Sequence, residues 1–131
     1  MALAWCFPDE DNSYANSVLK SIPGRRFVVP AHWPLEVSNG LLMAERRGRT
    51  TSADTSRAIQ LLEGLPFDVD PRTSGRAMSD SIGLARSHKL TVYDAAYLEM
   101  CMREALALAT IDAELLAACK ACGCAGYNPR T

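Results

Sequence analysis

Three acids, Glu36, Asp94 and Asp112, stand where apolar helical patterns begin. Glu36 follows the short apolar run Phe27–Pro30 and falls in the first turn of the next helical pattern. Asp112 directly follows the run Ala105–Thr110 and heads the last helix, and Asp94 lies in the first turn of a helix that begins at Thr91. Carboxylates gathered at the carboxyl edge of a parallel sheet, where such sheets collect their ligands, would form a hard, oxygen-rich site. Mg²⁺ or Mn²⁺ is the cation that donor set prefers. Each acid also has a local role that needs no metal. Thr91-Val92-Tyr93-Asp94 fits a capping box, Asp112 is a good N-cap, and Glu36 gains from the positive end of its helix. Spacing alone leaves both readings open.

The elements that must position these acids follow from the punctuation of the chain. Pro8-Asp9-Glu10 opens a helical pattern with Tyr14, Val18, Leu19 and Ile22 on one side, closed by Pro23-Gly24. Phe27-Val28-Val29-Pro30 reads as a buried strand, and Pro34 as the early residue of a helix carrying Leu35, Val37, Leu41 and Leu42. Arg46-Arg47-Gly48 ends that helix, with cations in the last turn and glycine as the stop. Thr51 starts a third helix, Pro66–Asp70 is a second strand, and helical patterns cover about 73–87 and Thr91 to Glu104. Ala105–Thr110 is expected to be a third strand, Asp112–Lys120 the last helix, and Gly123–Tyr127 a weak final strand. Strands separated by ten or more helical residues cannot pair as hairpins and must run parallel through right-handed crossovers. The expected class is therefore α/β, a small parallel sheet flanked by helices, helix-rich, in a single domain spanning 1–131.

Composition narrows the function. Fourteen basic residues nearly balance fifteen acidic ones, which argues against a basic nucleic-acid scaffold or a polybasic membrane binder. No apolar stretch approaches the length of a membrane span, and no signal peptide opens the chain, so a cytoplasmic location with five reduced cysteines is expected. Cys119-Lys120-Ala121-Cys122-Gly123-Cys124 has a C-x-x-C spacing but no second ligand pair, which favours packing over zinc. His32 and Trp33 read as part of a wall near a strand end rather than as a base-stacking platform. No nucleotide-binding glycine loop and no hydrolase elbow occurs.

Thr91-Val92-Tyr93-Asp94-Ala95-Ala96-Tyr97-Leu98-Glu99 followed by Leu108-Ala109-Thr110-Ile111-Asp112-Ala113-Glu114-Leu115 resembles the C-terminal half of PIN-domain proteins. Upstream, Ala31-His32-Trp33-Pro34-Leu35-Glu36-Val37-Ser38-Asn39 resembles the segment bearing that family's helix-borne acid, and Leu3–Glu10 resembles the stretch just after its first strand. The likeness is greatest to the VapC-type toxins of bacterial type II toxin–antitoxin pairs. It implies a metal-dependent endoribonuclease that cleaves RNA with a metal-activated water, is inhibited by a cognate antitoxin, and forms a homodimer. By position, Glu36, Asp94 and Asp112 would be the metal ligands and catalytic acids, with Asn39 and Thr110 as polar supports. The chain departs from the pattern at its start, where the family's first strand and its terminal Asp would precede Met1. That strand would be central in the family's sheet, so Met1–Thr131 alone is expected to fold poorly and cleave little. A late start is the favoured explanation. The alternative is a catalytically impaired PIN-like protein that only binds an antitoxin.

Overall fold

The computed structural model describes every residue from Met1 to Thr131. It is a helix-rich α/β arrangement with a small two-stranded parallel sheet. The elements run α1 (Ala2–Cys6), a 3₁₀ turn (Pro8–Glu10), α2 (Ser13–Ser21), β1 (Phe27–Val29), α3 (Trp33–Arg46), α4 (Ser52–Glu63) and β2 (Phe67–Val69). They continue with α5 (Thr73–Arg76), a wide π turn (Ala77–Ser81), α6 (Ile82–His88), α7 (Val92–Glu104) and α8 (Ala113–Ala121). No helix is long and apolar enough to cross a membrane.

The chain divides into two compact units, one of Met1–Phe27 with His32–Asp68, the other of Val28–Ala31 with Val69–Thr131. In the first, Ala2, Phe7, Leu41, Ala44 and Leu62 form a buried core against which Trp5, Trp33, Val37 and Leu65 pack. Trp33 meets the Phe67 ring edge-on at 5.4 Å, so it belongs to that core. In the second unit the core is Leu98, Cys101, Leu108, Leu115, Ala118 and Cys119. Each fully buried Leu in such a core contributes about 1.5–3 kcal/mol.

Helix starts follow the capping residues. Thr51 and Thr91 accept backbone N–H groups from Asp54 and Asp94, and Asn12 accepts that of Ala15. The Asn12 cap explains why α2 begins at Ser13 and not at Pro8, which lies in the separate 3₁₀ turn. Helix ends follow a second rule. In α6, α7 and α8 a residue with positive φ (Lys89, Ala105 and Gly123) is followed by a backbone N–H that reaches back to a carbonyl five residues earlier. These 6→1 bonds, Leu90 to Ala85, Leu106 to Cys101 and Cys124 to Cys119, are the signature of Schellman ends.

The expected third strand is the main correction. Ala105 takes a left-handed conformation (φ 53°) and terminates α7, so it cannot begin a strand. What remains of the Ala105–Thr110 and Gly123–Tyr127 strands is one isolated parallel bridge, Leu108 with Gly126, outside the two-stranded sheet. It is held by Leu108 N–H to the Ala125 carbonyl at 2.9 Å and Tyr127 N–H to the Leu108 carbonyl at 2.8 Å.

Candidate functional site

Within the second unit, Asp94 and Asp112 occupy helix starts on consecutive helices. Asp94 is half-buried in the first turn of α7, where its N–H reaches Thr91 Oγ1 at 3.1 Å. Asp112 is the exposed N-cap of α8: its Oδ1 accepts the N–H of Glu114 at 2.9 Å and of Leu115 at 3.1 Å. Both capping bonds fall on one carboxylate oxygen. Thr110 Oγ1 in turn accepts the Asp112 N–H at 3.0 Å, which fixes the backbone that presents the carboxylate.

Glu36 belongs to the first unit, in the first turn of α3. Its Oε1 lies 3.4 Å from His32 Nε2, one helical turn back. The amino group of Met1 is near enough to feel the charges of Glu10 and Glu36; burial lowers its pKa, against the raising effect of both acids. Asn39 is exposed on the same helix. No group of three or more His, Cys, Asp or Glu side chains is assembled to hold a metal ion.

A large exposed apolar side chain directly precedes each of the three acids. Leu35 is 74% exposed, Tyr93 65% and Ile111 47%.

The most tightly built polar cluster in the second unit is one that sequence reasoning did not single out. Asp70, just past β2, is 3% exposed, and Glu99 in α7 is 5% exposed. Between them Arg103 spends all five of its N–H donors. Nε binds Glu99 Oε1 at 2.7 Å, and Nη2 binds Glu99 Oε2 at 3.1 Å and Asp70 Oδ2 at 2.6 Å. Nη1 binds Asp70 Oδ1 at 3.2 Å and Glu104 Oε1 at 2.9 Å. Asp70 also accepts the Thr73 hydroxyl at 2.9 Å and the Arg72 N–H at 3.2 Å. Thr73 Oγ1 accepts the Ala31 N–H at 3.0 Å. The cluster therefore ties Ala31, two residues past β1, the residue after β2 and the body of α7 together. Burial pushes the Asp70 carboxyl upward, but the Arg103 guanidinium, the Arg72 N–H and the Thr73 hydroxyl together hold it below the usual carboxylate range. The Arg103 pKa is raised by its bonds to Glu99 and Asp70. One signal for this cluster lay in the sequence, the Glu99–Arg103 spacing of four on a helix. Asp70 lies 33 residues from Arg103, and no local pattern joins them.

No protein-family model matches this chain, and no curated protein matches it.

Proposed function

We propose that the chain is a PIN-like, metal-dependent endoribonuclease acting as the toxin of a toxin–antitoxin pair. The observation that carries the reading is the shared placement of its acids. Glu36 and Asp94 sit in first helical turns and Asp112 at a helix N-cap, with Glu36 following β1 and Asp112 following the Leu108 bridge. These local settings support the reading that the resemblance implies for each residue. Three carboxylates suit Mg²⁺ or Mn²⁺ in kind, and Glu36, Asp94 and Asp112 would hold the ion. When bound, such an ion polarises a phosphoryl oxygen and lowers the pKa of its water.

The protein's own residues would divide the remaining work. Thr110 sets the Asp112 backbone, and Asp112 keeps its capping bonds on Oδ1, which leaves Oδ2 for an ion. Arg103, held by Glu99 within α7, anchors that helix, and with it Asp94, to the end of β2 through Asp70. In the second unit, exposed Tyr93 and Ile111 are residues an antitoxin would cover.

The test is cleavage of a mixed RNA substrate by the purified chain, alone and extended upstream through an apolar strand ending in Asp. Mg²⁺- or Mn²⁺-dependent cleavage by the extended form, abolished by EDTA and by Asp94→Asn, is the expected result. No cleavage by either length, together with stable binding of the product of an adjacent small gene, would instead establish the antitoxin-binding protein without catalysis.

A further inference from the structure

The α8 terminus is a Schellman end built around Gly123, whose φ is +80°. The Cys124 N–H reaches the Cys119 carbonyl at 3.0 Å and the Gly123 N–H reaches that of Lys120 at 3.1 Å. In this motif the two residues joined by the longer bond also bring their side chains together, usually as an apolar contact. The equivalent pairs at the ends of α6 and α7 are Ala85 with Leu90 and Cys101 with Leu106. At α8 alone both members are cysteines, and the Cys119 thiol donates to the Ala125 carbonyl, next to Cys124 in the chain, at 3.6 Å. Cys119 is fully buried, whereas Cys124 is half-buried and lines a surface recess of about 520 Å³ together with Cys101, Met102, Leu106 and Cys122.

We propose that Cys119 and Cys124 are a thiol–disulfide exchange site that takes low-molecular-weight disulfides, such as oxidised glutathione, from this recess. In the first step the Cys124 sulfur attacks one sulfur of the small disulfide. A Cys124 mixed disulfide forms, the small S–S bond breaks, and one small thiol leaves with the Cys124 proton. In the second, the Cys119 sulfur attacks Cys124 Sγ, forms the Cys119–Cys124 bond and expels the second small thiol with the Cys119 proton. Two protein thiols are oxidised and one small disulfide is reduced to two thiols. Cys122 also lines the recess, with its Sγ 3.2 Å from His88 Nε2, and is the competing thiol that the Cys122→Ser variant separates from the pair. Burial, followed by the neighbouring Cys124, pushes the Cys119 thiol up, so exchange should quicken as pH rises. The product would staple the last turn of α8 to the residues that pair with Leu108.

The test uses the full chain, incubated with oxidised glutathione, with remaining thiols then blocked and the protein digested with trypsin. Cleavage after Lys120 separates Cys119 from Cys124, so a disulfide between them leaves the peptides 104–120 and 121–130 joined. The expected result is an intact mass lower by two hydrogens and these two peptides linked. Cys122→Ser should keep the link and Cys124→Ser should lose it. Cys119→Ala should leave a stable glutathione adduct on Cys124, each variant first being shown to melt cooperatively. A link that survives Cys124→Ser, a link that requires Cys122, or a persistent adduct on the unmutated chain would overturn the proposal.

Discussion

Helix α4 begins with Thr51-Ser52-Ala53-Asp54 and helix α7 with Thr91-Val92-Tyr93-Asp94, and in both the threonine hydroxyl accepts the aspartate N–H at 3.1 Å. Beyond the first turn they differ. Asp54 is exposed and turns onto Arg57 in its own helix, whereas Asp94 is half-buried. The charged pair in α4 lies on the surface, at 53% and 71% exposure, whereas the Glu99–Arg103 pair in α7 is buried and reaches across to Asp70. A capping motif therefore sets where a helix starts but not what its acid is for. Burial and the partners beyond the motif decide that.

The comparison is broken most sharply by removing the two aspartates in turn. In the chain extended upstream, Asp94→Asn should lower RNA cleavage on the order of 100-fold or more, the scale of losing one electrostatic contributor of an active site. Asp54→Asn should leave cleavage unchanged. Equal losses from both would return Asp94 to the rank of a cap.

Next in size is the pair of arginines. Arg103→Met strands two buried carboxylates and should cost about 3–5 kcal/mol in denaturant unfolding. Arg57→Met, on the exposed pair, should be hard to distinguish from the parent. Acid provides a second handle on the same cluster. Because Asp70 is held below its ordinary pKa, it contributes stability above the usual carboxylate range that is lost as pH falls through that range toward its folded value. Thermal melts should therefore drop on acidification. The Arg103→Met protein, whose Asp70 has lost its main partner, should show less acid sensitivity; an unchanged acid profile would count against the role given to Arg103.

The smallest effect should be the most even. Thr51→Ala and Thr91→Ala each remove one capping acceptor and should each cost about 1 kcal/mol. A much larger loss at Thr91 would mean that its hydroxyl supports more than the helix start.

The difference between α4 and α7 also explains what the sequence disclosed. Thr51, Thr91 and Asp112 marked three helix starts correctly because capping is settled within a few residues. The apolar runs at Phe27 and Phe67 likewise became β1 and β2. The run Ala105–Thr110 was read as a strand despite its alanines, and it misled because its first residue was needed to turn the chain out of α7. Of the candidate site, the local settings of Asp94 and Asp112 were legible for the same short-range reason, whereas Thr110 was expected at the end of a strand and was set beside the acids by the resemblance alone. The Asp70–Glu99–Arg103 cluster was not, since its strongest bond joins residues that only the fold brings together.

The wide turn at Ala77–Ser81 has a consequence for how this chain tolerates changes in length. A π turn holds one residue more than the α turns on either side, so α5 and α6 are joined by slack. The slack costs something locally, because Ser81 is 1% exposed and its hydroxyl has no hydrogen-bond partner. Deleting Ser79 should close the turn to an ordinary helical step and leave α6 facing as it does now. A deletion at Ala96 in α7 would rotate every later residue of that helix by about 100°, turning Glu99 and Arg103 away from Asp70. A cooperative melt for the first deletion and none for the second would mark Ala77–Ser81 as the place where a residue can be lost or gained without refolding the rest.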